Sequence, residues 1–510
     1  MGGKRGFDTT RYLDAQVKKI LTCVSRFEKL YLEFGGKLCS DNHAARVLPG
    51  FEVDTKVHLL RRLGEIEIVH CISAKDIERR KIRRDFGLAY DDQILKDIND
   101  LRDRRLNLSA VVINRFDGEP SANKFKQKLQ NRGIRVFTHN EIPTYLHDVE
   151  FVVSDRGYGR QEYVPTEKKI VVVTAPGPGS GKMAFCMAQV YNDRTRGIKS
   201  GFAKFETFPI WNLPLRHPVN IAYEAATADI GDYNLEDPYH KKAYGTTAIN
   251  YNRDVENFAI MQKIIEKMVD QDDPLANYQS PTDMGVNMAK EGIIDDAVVR
   301  EASNQEIVRR YFRYHMEFVE GETTHDTLER MEKIMERADV KPEDRVVVLP
   351  ARVAAEDARK RKAEGKGYRS VFCGAAIQLD DAGKIMITGK NSPLLHAESA
   401  VILNAVKMIA HIPDAIDVIS RDVIESMIQL KRRMGLNSTS LDVKEVLDAL
   451  AASAVIDENA RKCRDVLGNL KGCEMHTTHL MDTGDERPLE QLGLNVTTDA
   501  QLPFPNAYTI

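Results

Sequence analysis

Two groups of residues in this sequence have the types and spacing to do chemistry. The first is Ala175-Pro176-Gly177-Pro178-Gly179-Ser180-Gly181-Lys182-Met183, entered from the β-branched run Ile170 to Thr174 and leading into a helical stretch. Small residues there free the backbone amides of Gly177, Gly179, Ser180 and Gly181 to face an anion at a helix N-terminus, and Lys182 adds a point charge. In the phosphate-loop pattern G-x-x-x-x-G-K-[ST] the first glycine falls at Pro176 and the magnesium-holding hydroxyl at Met183. The stretch therefore reads as a cradle for phosphate, with Lys182 as the binding and candidate catalytic cation. A nucleotide with Mg2+ would need a carboxylate, Glu224 or Asp229, in place of the missing hydroxyl. The second group is His396, Glu398, Cys473 and His476, with His479 in reserve. A ligand and a carboxylate two residues apart in a first helical turn can face one site. Cys473 and His476 keep a two-residue ligand spacing, so His396, Cys473 and His476 would give Zn2+ three ligands and leave a water position, with Glu398 moving protons.

The elements that must carry these groups follow from periodicity. Segments 65–72, 109–116, 134–138, 150–154 and 169–174 read as strands, with helices at 92–105 and 122–132 between them. Such alternation predicts an α/β domain around a mostly parallel sheet. Its ligands would bind beyond the carboxyl ends of the strands, where Lys37, Lys75, Asn114, Arg115, His139 and the glycine-rich loop fall. Segments 201–208 and 219–226 read as two more strands. From 254 to about 338 the pattern is helical, which suits a lid, an oligomer contact or simply core. Around an Asp/Gly turn at 380–383, segments 371–379 and 384–389 predict a β-hairpin. The expected division is a phosphate-binding α/β domain over 1–253, a helical subdomain over 254–340 and a C-terminal α/β domain over 341–510.

With 510 residues the chain is too long for one core. It is 42% apolar and 29% charged, with net charge −3, which argues against a nucleic-acid footprint. No apolar run is long enough to span a bilayer, and no secretory h-region follows the N-terminus. Seven scattered cysteines make no disulfide framework. A cytoplasmic protein is expected.

Residues 373–410 resemble the cytidine deaminase family in Gly374-Ala375-Ala376-Ile377, Gly389-Lys390-Asn391 and His396-Ala397-Glu398. That resemblance implies a deaminase-like C-terminal fold in which His396 binds zinc and Glu398 shuttles protons. The family's Pro-Cys-x-x-Cys turn is absent, and Cys473-x-x-His476 lies some seventy residues beyond the triplet. Taken over nearly its full length, the chain resembles the bacterial protein family 0371, labelled domain of unknown function 1846. The residues that carry this are the glycine-rich loop, Tyr223 to Asp229, Asn250 to Asp254, Ser280 to Gly285, His396-Ala397-Glu398 and Gly472 to His476. The resemblance implies a nucleotide-binding-like N-terminal part and a separate C-terminal domain.

Three functions remain open at this stage. One is an enzyme that acts on a phosphorylated small molecule or nucleotide by phosphoryl transfer or hydrolysis. Another is a metal-dependent, deaminase-like hydrolase. The third is a non-catalytic nucleotide sensor. The expected partner is a phosphorylated small molecule, with no nucleic acid or membrane, and a homo-oligomer is compatible with the helical segment.

Overall fold

The computed structural model describes residues 4–502, apart from 84–87, 144, 146, 369, 380–384, 437 and 438. The Asp/Gly turn expected at 380–383 lies outside the described residues. The chain divides into two compact units, Lys4–Ser303 and Asn304–Ile510, so the helical segment 254–340 is shared between them.

The first unit is built on six strands: β1 (Lys29–Phe34), β2 (Ile66–Ser73), β3 (Leu108–Asn114), β4 (Val136–Thr138), β5 (Ile170–Thr174) and β6 (Ser200–Phe205). Their order is β4-β3-β2-β5-β1-β6, and every neighbouring pair is parallel. All residues of β1, β2, β5 and β6 are buried, as expected for strands covered on both faces. Helix α1 (Tyr90–Asp103) leads from β2 to β3, and α2 (Lys182–Thr195) leads from β5 to β6. Ile94 and Ile98 of α1 pack with Ile72, Val111 and Ile113 of the strands. The successor of β2 lies on one side of it in the sheet and the successor of β5 on the other. The gap between β2 and β5 is therefore the switch point at which open α/β sheets take ligands.

Two segments read as strands are helical. Residues 150–154 overlap the single turn Val149–Val152, whose start is fixed by Asp148 accepting from the Phe151 amide. Residues 219–226 belong to α3 (Pro218–Ala226), with Pro218 in its first turn and His217 capping the Val219 amide. Helix α4 (Asn252–Met268) follows.

In the second unit α5 (Val348–Lys360) precedes the antiparallel hairpin β7 (Gly374–Gln378) and β8 (Met386–Lys390). Then come α6 (Ala397–Ile409), α7 (Val443–Ser453), β9 (Glu474–Thr477), α8 (Thr483–Gln491) and β10 (Asn495–Thr498). The sheet order is β8-β7-β9-β10; β9 runs antiparallel to β7 and parallel to β10. Gly374 lets α5 approach one face, since a Cβ there would stand 2.3 Å from the Ala351 carbonyl. Gly389 lets α6 approach the other, where a Cβ would meet the Val401 amide at 2.3 Å. Among the described residues no helix is long and apolar enough to cross a membrane.

Candidate functional site

The glycine-rich loop joins the carboxyl end of β5 to α2 at the edge of the switch point. Lys182 is the first residue of α2, and Gly181 precedes it in the left-handed region with φ 82°. Gly177 and Gly181 are needed for close approach. A Cβ on Gly177 would lie 2.2 Å from the Tyr90 hydroxyl, and one on Gly181 would lie 2.8 Å from Asn114. Asn114, at the end of β3, donates to the Ser180 carbonyl at 2.8 Å, and the Ser180 hydroxyl donates back to the Gly177 carbonyl at 2.9 Å. Ser180 is thus spent on closing the loop. This bracing leaves a short, stiff turn that opens on the first turn of a 14-residue helix, where the dipole favours an anion.

The side chain of Lys182 turns to Glu33, 3.7 Å away, with both groups largely buried at 13% and 7% exposure. In β1 the polar residues Lys29, Tyr31 and Glu33 alternate with Leu30, Leu32 and Phe34, so the three share one face. Tyr31 donates to Asp193 of α2 at 2.9 Å, which identifies that face as the one under α2. One Glu33 oxygen, Oε2, is buried without a hydrogen-bond partner. Leaving such an oxygen unpaired costs about 1–3 kcal/mol.

Glu33 is also the register partner of Lys204 on β6. Lys204 meets Asp254 of α4 at 2.5 Å and Glu206 at 3.3 Å, with its ammonium 4.6 Å from the centre of the Tyr251 ring. Burial by itself would lower the Lys204 pKa, but the charges of Asp254, Glu206 and Glu33 outweigh it and raise it. Burial raises Glu206 to about 7, assisted by repulsion from Asp254 and Glu33 and opposed by Lys204. A carboxyl in that range exchanges a proton readily near neutral pH.

Where β5 runs into the loop, a cavity of about 200 Å³ is lined by Lys37, His70, Gln93, Asp97, Thr174 and Pro176, among others. Asp97 accepts from Gln93 at 2.6 Å and pairs with His70 Nε2 at 2.9 Å. Burial disfavours the Asp97 charge, yet the hydrogen bond and charge of His70 bring its pKa below the ordinary carboxylate value. Other groups expected at this edge are engaged elsewhere. Lys75 pairs with Glu119 at 3.0 Å and Arg115 with Glu141 at 2.7 Å. Buried His139 bonds the Glu162 carbonyl, and burial lowers its pKa to about 4. Glu224 accepts from the Asn234 amide at 3.1 Å; the carboxylate beside Lys182 is Glu33.

In the second unit His396 occupies the N-cap position of α6 without a side-chain capping bond, and Glu398, in the first turn, is fully buried. Thr477 donates to Glu398 Oε1, and His479 Nε2 lies 3.4 Å from the same oxygen. The structure does not bring Cys473 and His476 to His396. His476 is the register partner of Ala376, whose side packs with Val347 and Ala351 at α5. Thr477 partners Ala375, whose side packs with Ala397 and Val401 of α6. His476 therefore faces away from Glu398 and meets Thr497 at 2.9 Å and Asp499 at 3.4 Å. Cys473 stands ahead of β9, about 13 Å of strand before Thr477, near the Asn469 carbonyl. The potential ligands that do gather at His396 are Asp482 and Asp485.

The two units coincide broadly with two family descriptions. Domain of unknown function DUF1846, N-terminal, matches residues 5–339, and Domain of unknown function DUF1846, C-terminal, matches residues 343–508. The chain belongs to the DUF1846 family. Relatives titled UPF0371 protein include one from Clostridium tetani and one from Clostridioides difficile, each 46% identical over 507 residues, and one from Clostridium botulinum, 47% identical over 505 residues. Each alignment covers 99% of this chain and 99% of the relative. The family places the glycine-rich loop in its N-terminal part and the His396–Glu398 turn in its C-terminal part.

The sequence singles out the loop and His396 but not their neighbours in space, Glu33, Lys204, Glu206, Asp254, Asp482 and Asp485. A signal existed for Glu33: a period-two row of polar residues inside an otherwise leucine-rich strand marks a polar site under a helix. Asp482 and Asp485 sit at a helix start, where acidic residues also serve as ordinary caps.

Proposed function

We propose that the N-terminal unit is an enzyme domain that binds a phosphorylated small molecule or nucleotide. The amides of Gly177, Gly179, Ser180 and Gly181, with Lys182, hold the phosphate, and the Lys204–Glu206 pair handles a proton of the reacting group. The observation that carries this reading is the position of Lys182, at the first residue of α2 and 3.7 Å from the underpartnered Glu33. A ligand phosphate at the helix start would draw Lys182 off Glu33 and satisfy the exposed amides together. The adjoining cavity of about 200 Å³ would take the rest of the molecule.

In this scheme Glu206 is the proton-exchanging group and Lys204 offsets negative charge that develops beside it. Where a divalent cation accompanies the phosphate, Glu33 is the carboxylate placed to hold it, since Ser180 is spent on the loop and position 183 is methionine. The test is turnover of a panel of nucleotides and sugar phosphates with and without Mg2+. Turnover by the native chain, lost in Lys182→Ala and slowed at saturating substrate in Glu206→Gln, supports the reading. Saturable binding without turnover of any member reduces the domain to a sensor.

A further inference from the structure

The second unit holds a cluster of potential ligands of its own. His396 Nδ1 lies 2.7 Å from Asp485 Oδ2, and one potential ligand atom from each of His396, Asp482 and Asp485 lies within 4.8 Å of the others. Capping accounts for only part of the two aspartates. Asp482 Oδ1 accepts from the Gly484 and Asp485 amides, at 2.8 and 3.1 Å, and Asp485 Oδ1 accepts from the Val443 amide at 2.8 Å. The Oδ2 atom of each lies outside these bonds. Asp442, which caps α7, adds a further carboxylate: a Cβ on Gly484 would meet it at 2.2 Å.

A separate observation points to a ligand. Glu398, two residues beyond His396 and fully buried, keeps its Oε2 without a hydrogen-bond partner, and its charge acts on both His396 and Asp485. Burying that oxygen unpaired beside further carboxylates is costly for the apo protein. One divalent ion with a bound water repairs both defects: the ion offsets the surplus negative charge, and the water donates to Glu398 Oε2.

We propose that His396, Asp482 and Asp485 bind a divalent metal ion, with Glu398 as the acceptor for its water. One imidazole with two carboxylates suits Mn2+ or Zn2+ better than the all-oxygen ligation favoured by Ca2+ or Mg2+. The site requires neither Cys473 nor His476.

The experiment is calorimetric titration of the full-length, tag-free, chelator-stripped chain with Mn2+ and with Zn2+, alongside elemental analysis of the protein as purified. The expected result is one equivalent bound, with affinity lowered about tenfold or more in Asp482→Asn and abolished in His396→Ala. Asn retains the capping oxygen at 482, so the first variant should fold normally; a circular-dichroism melt checks both. Cys473→Ser should bind as the native chain does. Absence of stoichiometric binding for both metals, or binding that Asp482→Asn and His396→Ala leave unchanged, overturns the proposal.

Discussion

Glu33 on β1 and Lys204 on β6 are directly paired across two adjacent parallel strands, and Lys182 reaches the same glutamate at 3.7 Å from the start of α2. A carboxylate flanked by two lysines, with one oxygen unsatisfied, joins the glycine-rich loop to the Lys204–Glu206–Asp254 group. The consequences of that link can be measured separately.

Glu33→Gln removes the charge that holds Lys182. With its ammonium released, binding of inorganic pyrophosphate in the absence of divalent cations should tighten about 3- to 10-fold, equivalent to about 0.7–1.4 kcal/mol. Calorimetric titration of both proteins in chelator-containing buffer decides this; weaker binding in the variant would mean that Glu33 contacts the ligand directly.

Gly177→Ala should destabilise the first unit by about 1–3 kcal/mol, because the new methyl would stand 2.2 Å from the Tyr90 hydroxyl. The clashing atom is that oxygen, so Tyr90→Phe should recover part of the loss when combined with Gly177→Ala. Urea unfolding of the single and double variants reads the recovery. Equal stability of Gly177→Ala and the native chain would show that the loop is not braced by Tyr90.

Glu206 gives the first unit a definite pH response. Its folded pKa, about 7, stands above the ordinary glutamate value of 4.5, so the folded state holds its proton more tightly than the unfolded chain. The stabilisation is complete below about pH 4.5 and is lost as pH rises through about 7. Unfolding free energy measured from pH 5 to 8 should fall more steeply for the native chain than for Glu206→Gln. Parallel profiles would refute the assignment.

Much of the fold was legible in the sequence. The β-branched runs at 65–72, 109–116 and 169–174 announce β2, β3 and β5 because strands buried on both faces need continuous apolar sequence. The errors at 150–154 and 219–226 have one cause: a short apolar run is ambiguous, and the caps at Asp148 and His217 with Pro218 decided for helix. Lys182 was legible because its neighbours in sequence are its neighbours in space. Glu33, Lys204, Glu206 and Asp254 were not, because parallel pairing and the start of α4 assemble them from three distant stretches. The expected grouping of Cys473 and His476 with His396 failed for a similar reason. Ligand spacing along a strand does not determine the face, and in β9 adjacent residues point to opposite sides.

Arg345 offers a test of the second unit. Its fully buried guanidinium pairs with Glu474 and donates to Thr497 and to the carbonyls of Met475 and Asn495. Arg345→Met should lower stability by about 3–5 kcal/mol, since it strips Glu474 of one of its two arginine partners in the interior. Thermal unfolding of the variant and of Arg345→Met with Glu474→Gln checks it. The pair of substitutions should cost less than the single one.

Equilibrium binding of a phosphorylated ligand by the native chain and by Lys182→Ala tests the central claim most directly. Titration with ATP, with inorganic pyrophosphate as a second probe, should give saturable binding to one site, and Lys182→Ala, its native circular-dichroism spectrum checked at the temperature of the titration, should weaken it at least about tenfold, or 1.4 kcal/mol. Binding of equal strength in both proteins, or no binding of either probe to the native chain, would contradict the account.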